Sequence, residues 1–208
     1  MIWSGANLID YLVTHFHDAL MARPKSDDKR NAIMEAAILV IVSQGLSAPT
    51  ATIAKEAGIS NGSLFTYFAT KADLFNQLYL DIKMGMIADA MKDLPEAGDF
   101  RAQLLQAWSN WMDWVVSNPE KRRAMEQLNV SADITQETRA IANEAAGDLN
   151  DLMDQIRAHG SLKTAPLSFV GALINGLIEA TLISMNADPA HAKRHRDLGF
   201  ETLWRAIS

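Results

Sequence analysis

The 208-residue sequence contains no cysteine, only six prolines and only 11 glycines. A chain without cysteine forms neither disulfides nor thiolate metal sites, which is compatible with a reducing cytoplasm. The sequence also lacks a run of about 20 uninterrupted apolar residues of the kind that indicates a membrane span. Runs of β-branched residues between turn signals are missing, whereas helix-favouring residues such as Ala and Leu are abundant. These absences predict an all-α protein that does not enter a membrane.

Charge is distributed unevenly along the chain. The whole sequence has a formal net charge of −6, which by itself argues against a nucleic-acid partner. Residues 23–83 nevertheless carry a net charge of +1, whereas residues 84–208 carry −5 and the first 22 residues carry −2. If one part of the chain contacts a polyanion, we therefore expect it to be the N-terminal third.

Capping residues and helix breakers predict where the helices begin and end. Ser26 is expected to cap the first helix, and Gly45 and Gly58 are expected to end the first and second helices. Ser60 is expected to cap a short third helix, and residues 70–73 approximate the capping box of a fourth. Longer helices are then expected at about residues 71–94, 99–117, 119–130, from 133 or 135 to 159, 166–186 and 189–206.

The segment "GISNGSLFTYFATKADLF", residues 58–75, has the pattern of a helix-turn-helix motif. Ile59, Leu64 and Phe68 are spaced to pack short helices together, which leaves the polar residues between them for another partner. In such a motif one helix lies in the major groove of DNA while the preceding helix braces it against the backbone. The candidate DNA-contacting residues are Thr50, Ser60, Asn61, Gly62, Ser63, Phe65, Thr66, Tyr67 and Lys71.

The chemistry of these side chains suggests separate roles on DNA. Asn61, Ser63 and Thr66 offer hydrogen bonds or a methyl group to base edges, and Gly62 allows a close approach. Tyr67 and Lys71 are candidates for phosphate contacts. The alternative interpretation of the segment is an ordinary solvated helix. The basic residues between 23 and 30 likewise either reach the DNA or form a solvated tail.

The segment "TATIAKEAGISNGSLFTYFATKADLF" resembles the DNA-binding domain of the TetR family of tetracycline-repressor-like regulators. The family pattern is roughly I-A-x-x-A-G-V-S-x-G-[ST]-[LI]-Y-x-Y-F-x-x-K-x-x-L, and most of its positions are matched between Ile53 and Leu74. Phe65 departs from the pattern because the family usually has tyrosine there, which removes a hydroxyl contact to phosphate. The loop "GLSAPT" is about one residue shorter than usual, which leaves open whether Ser47, Thr50 or Thr52 meets the backbone.

This resemblance implies a domain organisation and a function. Residues 23–70 would form the helix-turn-helix domain and residues 71–208 a helical ligand-binding and dimerisation domain, preceded at 1–22 by an extension or a start assigned too early. The chain would be a cytoplasmic homodimer that binds a palindromic double-stranded DNA operator and releases it when a small-molecule effector binds. The alternatives are a transcriptional activator, or a helical small-molecule-binding protein or enzyme whose N-terminal module is structural.

A ligand pocket is expected among the longer helices because flat aromatic faces and adaptable sulfur atoms suit diverse apolar molecules. Ordinary core packing is the alternative for each residue taken separately. The candidate pocket residues are Trp108, Trp111, Met112, Met125, Leu128 and Met153.

A dimer interface is expected near the C-terminus, where small residues on the apolar helix 166–186 allow a partner helix to approach. The resemblance implies a four-helix bundle built from the last two helices of each protomer, with burial inside the monomer as the alternative. The candidate interface residues are Gly171, Asn175, Gly176, Ile178, Phe200, Leu203 and Trp204.

The sequence predicts no catalytic residues, cofactor or metal site. His191 and His195 have the i, i+4 spacing of a metal-binding pair, but no third ligand lies nearby in the sequence and a solvated helix face is favoured. No Ser/His/Asp set, paired carboxylates or phosphate-binding loop stands out.

Overall fold

The structure, a computed structural model, describes residues 24–96, 98–158 and 160–208. Within these ranges it contains ten α-helices, one short 3₁₀ helix and no β-strand. The all-α class predicted from composition is therefore confirmed. The extension proposed for residues 1–22 lies outside the described residues.

The helices follow one another through short turns. Their bounds are α1 Pro24–Gln44, α2 Thr50–Glu56, α3 Asn61–Leu64, α4 Lys71–Ala90, α5 Phe100–Ser117, α6 Pro119–Asn129, α7 Gln136–Ala145, α8 Gly147–Arg157, α9 Leu167–Ala187 and α10 Ala192–Ile207. The 3₁₀ helix Pro189–His191 leads into α10. The chain divides into two compact units, of which the first ends at Leu74 and the second spans Phe75–Ser208.

The first unit is held together by apolar residues of its short helices. In this unit α1 packs against α2, and α2 packs against α3. Ile33, Ile41, Ile53, Leu64 and Phe68 are almost completely buried. Because α3 contains only four residues, this burial, rather than intrinsic helix propensity, holds it in place.

Two glycines and two caps set the turns of the first unit. Gly45 and Gly58 adopt the left-handed conformation, with φ of 78° and 67°, which side chains other than glycine rarely adopt. The Ser60 hydroxyl accepts a hydrogen bond from the Ser63 amide at 3.1 Å. At the start of α4 the Asp73 amide donates to the Thr70 hydroxyl, and the Asp73 carboxylate accepts from the Ala69 amide, both at 3.0 Å.

The second unit is built around α5, α9 and α10. The last two helices pack extensively on each other, and α10 also contacts α5. A methyl group at Gly199 would collide with the Thr181 hydroxyl and lie 2.8 Å from the Trp108 ring. Trp108 in turn donates its indole N–H to the Arg196 carbonyl oxygen at 3.2 Å. A glycine is therefore required where these three helices meet.

Several helix boundaries differ from those predicted. Helix α1 begins at Pro24, so Ser26 lies inside it instead of capping it. Helix α4 ends at Ala90 and not at Leu94. The side-chain amide of Asn110 donates hydrogen bonds to the carbonyl oxygens of Ala90 and Lys92, and Asp93 turns the chain with a φ of 52°. The single helix expected up to residue 159 is two helices, α7 and α8, which meet at Ala146.

Helix α9 is the most apolar helix among the described residues. By length and composition alone it could cross a membrane, although the sequence contains no uninterrupted apolar run of that length. Its buried residues include Val170, Ile174, Ile178 and Leu182. These side chains are buried within the second unit, whereas 28% of the apolar window of the helix as a whole is buried.

Candidate functional site

Helix α3 and the turn that follows it expose one side and bury the other. Leu64 and Phe68 are completely buried, whereas Asn61, Gly62, Phe65 and Thr66 are exposed. Ser63 and Tyr67 are partly exposed. The structure thus brings the candidate DNA-contacting residues of this segment together on a solvent-facing surface, which we call the α3 surface (residues 60–63 and 65–67).

The serine and threonine hydroxyl groups on the α3 surface are engaged in hydrogen bonds within the segment itself. The Ser60 and Ser63 hydroxyls lie 2.8 Å apart, and the Thr66 hydroxyl donates to the Ser63 carbonyl oxygen at 2.7 Å. The Asn61 side chain makes no hydrogen bond with any described residue. Its amide consequently keeps two donors and an acceptor available for an external partner.

Neither packing nor backbone conformation within the folded chain requires glycine at position 62. A methyl group added there would have only the Ser60 hydroxyl oxygen within 4 Å, at 3.9 Å, and its φ is not in the left-handed region. Alanine would therefore fit the folded chain and favour the helix. The absence of a side chain leaves the backbone of α3 open to a close external approach.

Phe65 and the candidates outside α3 also belong to the first unit. Phe65 directs an apolar ring into solvent, with 43% of its surface exposed. Lys71 is the first residue of α4 and is partly exposed. Thr50 is the first residue of α2, preceded by Pro49. On α1, the Arg30 guanidinium lies 5.6 Å from the centroid of the Phe68 ring.

The second unit contains a cavity of about 440 Å³. Its wall is largely apolar, with two tryptophans, four polar side chains that are uncharged and one lysine. The residues around it are Lys83, Met86, Ile87, Leu104, Ala107, Trp108, Trp111, Ala142, Asn143, Ala146, Leu149, Asn150, Met153, Leu167, Ser168, Val170, Gly171, Ile174, Asn175 and Leu203. This volume and composition are typical of small-molecule sites.

The residues that the sequence suggested for a pocket fall into two groups, one in the wall of the cavity and one in the core. Trp108, Trp111 and Met153 line the cavity. Met112, Met125 and Leu128 do not line it and are buried in the core instead. Three of the six predicted pocket residues thus line the cavity, and the other three lie in the core. Composition could not separate the two groups, because a buried methionine has the same pattern in a core and in a cavity wall.

Sequence reasoning missed Lys83, which is the single charged residue that the described part of the chain contributes to the wall of the cavity. Burial lowers the pKa of its ammonium below the ordinary lysine value. No hydrogen bond or ion pair joins this ammonium to any described residue. The sequence feature that could have identified Lys83 is its position within the apolar stretch "LYLDIKMGMI", because a charged side chain at a core-facing position is unusual.

The candidate dimer residues also fall into different environments. Ile178, Phe200 and Leu203, three of the residues predicted at a dimer interface, are buried within the second unit. Gly171, Asn175 and Leu203 line the cavity, Trp204 is partly exposed, and Gly176 is exposed.

Large apolar residues that the sequence did not suggest for an interface are exposed on α9 and α10. Phe169 and Ile183 on α9 are 54% and 61% exposed, and Leu198 on α10 is 63% exposed. Between the first two lie the small residues Ala172, Gly176 and Ala180, at spacings of three or four residues. We call these six residues the α9–α10 stripe.

His191 and His195 both form hydrogen bonds with the carboxylate of Asp188. His191 lies 2.9 Å from a carboxylate oxygen of Asp188, and His195 lies 3.3 Å from the same oxygen. The hydrogen bond from His191, followed by that from His195, lowers the pKa of Asp188 below its ordinary value. Among the described residues no group of three or more His, Cys, Asp or Glu side chains is arranged to hold a metal.

Comparison with known proteins gives consistent matches. Residues 33–78 match the model of bacterial regulatory proteins of the tetR family. An uncharacterized HTH-type transcriptional regulator of Haemophilus influenzae is 27% identical over 165 residues, which cover 74% of this chain and 82% of that protein.

Two crystal structures of tetR-family transcription regulators are similar over most of the chain. The regulator from Marinobacter aquaeolei VT8 is 26% identical, with a TM-score of 0.75 over 88% of this chain and 97% of its own. The protein from Shewanella sp. PV-4 is 29% identical, with a TM-score of 0.74 over 85% of this chain and 96% of its own.

Proposed function

We propose that this chain, which belongs to the tetR family of bacterial regulatory proteins and is a DNA-binding transcriptional regulator, acts as a ligand-responsive repressor. In this proposal the α3 surface reads the major groove of a palindromic operator, and an effector in the cavity of the second unit reduces the affinity for DNA. The direction of control and the response to a ligand are parts of the proposal. A cytoplasmic location follows from it, because the protein has to reach the DNA that it regulates.

The observation that carries the DNA-binding part is the composition of the α3 surface. Asn61 presents an amide with no internal partner, and a carboxamide can form two hydrogen bonds with an adenine edge. Gly62 beside it leaves the backbone uncovered although alanine would fit. Both features are unexplained by the stability of the fold and are explained by close contact with a base pair.

Dimerisation is proposed because one helix of four residues contacts too few bases for specific binding. Two copies related by a twofold axis would place two α3 surfaces on successive half-sites. The α9–α10 stripe supports this arrangement, since its small residues allow close helix packing and its large apolar residues are exposed to water.

The effector part of the proposal is supported by the cavity of about 440 Å³. A TetR-like regulator of Mycobacterium smegmatis, LfrR, has the same fold at 18% identity and a structure in complex with proflavine. A ligand reduces DNA binding only to the extent that it binds more tightly to the conformation that does not fit the operator. We therefore propose two conformations of the dimer with different affinities for the effector.

A mobility-shift experiment with the DNA upstream of the protein's own gene tests the DNA-binding part. We expect Lys71→Ala to weaken binding to all sequences and to reduce the slope of log K against log [salt] by about 1 for each half-site, because one phosphate contact is lost. We expect Asn61→Ala to leave that slope unchanged and to reduce discrimination at one base pair by roughly 1–3 kcal/mol.

Lys163→Ala is the matched control, because it removes an exposed lysine from the second unit. Equal salt slopes for the Lys71 variant and the wild-type protein would contradict the phosphate role. Unchanged base preference in the Asn61 variant would contradict the proposed reading of the α3 surface. A reporter gene placed behind the operator distinguishes repression from activation, since loss of the protein raises expression only in the first case.

A further inference from the structure

The cavity in the second unit combines an apolar wall with one positive charge. Among the described residues, Lys83 is the sole ionisable one that lines it, and none of them contributes a carboxylate to the wall. The polar groups that accompany Lys83 are the amides of Asn143, Asn150 and Asn175 and the hydroxyl of Ser168. An occupant therefore meets apolar surface almost everywhere and positive charge at one place.

The charge of Lys83 is not compensated inside the protein. Its ammonium has no hydrogen-bond or ion-pair partner among the described residues, and it is partly removed from water. Placing a charge in such surroundings costs free energy unless an opposite charge is supplied. A helix of this kind would be more stable with leucine or methionine there, so the lysine is better explained by something that enters the cavity.

We propose that the cavity binds an organic acid with an apolar body, and that the carboxylate of this acid pairs with the ammonium of Lys83. A singly charged head group fits better than a phosphate monoester, since the described residues of the wall offer one cation and no second one. The apolar body would lie against Trp108, Trp111 and Met153. This inference rests on the proposed function because it names the chemical class of the effector.

The same geometry disfavours two other ligand classes. A cationic ligand would meet the like charge of Lys83 with no carboxylate to offset it. A neutral ligand of the same shape would bury the same apolar surface but would leave the ammonium unpaired. The head group, with the apolar body held constant, is therefore the variable to test.

Calorimetric titration of the full-length protein with matched probes tests the inference. The probes are decanoate, 1-decanol and decylamine, together with 2-naphthoate and 2-naphthol as a second body shape. We expect the acid to bind at least roughly tenfold more tightly than its alcohol in at least one series, and the amine to bind most weakly. The reason is that a hydrogen bond to a charged partner contributes more than a neutral one.

The variants Lys83→Met and Lys83→Gln supply the residue-specific test. We expect each to weaken binding of the acid by roughly 10- to 100-fold while leaving the affinity for the alcohol within about threefold. Lys163→Met, which removes an exposed lysine outside the cavity, should change neither affinity. Circular dichroism of each variant establishes that the fold is intact, and Lys83→Arg should retain part of the preference for the acid.

The possible outcomes separate this inference from the proposed function. Acid and alcohol of equal affinity in both series, or an acid preference that survives Lys83→Met, would overturn the ligand class. If the acid binds through Lys83 but leaves the mobility shift unchanged, the ligand class stands and the effector role fails. If DNA binding is intact and no acid binds, the regulator stands and the ligand class is wrong.

Discussion

At the level of single residues, hydrogen bonds divide the polar side chains of the α3 surface into two groups. Ser60, Ser63 and Thr66 bond to each other or to the local backbone, which stabilises a helix of four residues. Asn61 has no such bond among the described residues. The first group therefore has a structural reason to be polar, and Asn61 is the better candidate for base recognition.

The burial of Lys83 leads to a prediction about the stability of the protein that is independent of any ligand. Because burial lowers its pKa in the folded chain, protonation favours the unfolded chain. The penalty is present in full below the folded pKa and disappears as the pH rises towards the ordinary lysine value of 10.5. We expect Lys83→Met to raise Tm at pH 7 by about 2–4 °C and this gain to shrink at alkaline pH.

Thermal unfolding of both proteins between pH 7 and pH 10.5 measures this difference. Subtracting the two curves cancels the titrations that the proteins share. Lys163→Met, at an exposed lysine, should follow the wild-type curve throughout. A gain in Tm that is the same at every pH would mean that the substituted methionine packs better but that the charge of Lys83 carries no penalty.

At the level of the elements, the contact of α5, α9 and α10 depends on Gly199. A methyl group there would collide with the Thr181 hydroxyl and approach the Trp108 ring to 2.8 Å, so the helices would have to separate. We expect Gly199→Ala to reduce the free energy of unfolding by roughly 1–3 kcal/mol, as is usual for overpacking. Chemical denaturation monitored by circular dichroism measures this change.

Gly85 provides the matched control, since it also lies inside a helix but a methyl group there would meet nothing within 4 Å. We expect Gly85→Ala to increase the free energy of unfolding by up to about 1 kcal/mol through helix propensity. Similar effects of the two substitutions would show that propensity, and not the approach of the helices, governs both positions.

Helix boundaries show where local sequence signals are sufficient and where they are not. Ser60, and Thr70 with Asp73, form the caps that their spacing predicts, because capping bonds join residues only three or four positions apart. The end of α4 depends on the amide of Asn110, which lies 20 residues from Ala90 in the sequence. No local pattern contains that information.

At the level of the whole molecule, the α9–α10 stripe predicts the oligomeric state. Ile183→Glu and Leu198→Glu place a charge at positions that are 61% and 63% exposed in the single chain. If the stripe forms a dimer interface, the charge would be buried without a partner, and we expect the double variant to be monomeric. Sedimentation velocity of the wild-type and variant proteins measures this.

Val130→Glu is the control for this prediction, because Val130 is an apolar residue that is 86% exposed and lies outside the stripe. It should leave the sedimentation coefficient unchanged. A double variant that remains dimeric with native helix content would refute the proposed interface. A monomeric variant should also lose specific operator binding, since each half-site would then be bound independently.

Local patterns in the chain were sufficient for the all-α class, the helix-turn-helix pattern of the first unit and the resemblance to the tetR family. These conclusions depend on composition, on apolar spacing within a few turns and on residues close together in the chain. Phe200 and Leu203 were expected at an interface because an apolar stripe of a helix is the same whether it faces its own core or another protomer.

The walls of the cavity and the apolar residues that reach the surface could be identified only from the folded chain. The fold assigns Met112, Met125 and Leu128 to the core and brings Lys83 into the wall beside tryptophans of α5. The physical reason is that burial and cavities depend on contacts between residues far apart in the sequence. Hydrophobicity and helical spacing identify a buried face without identifying what it is buried against.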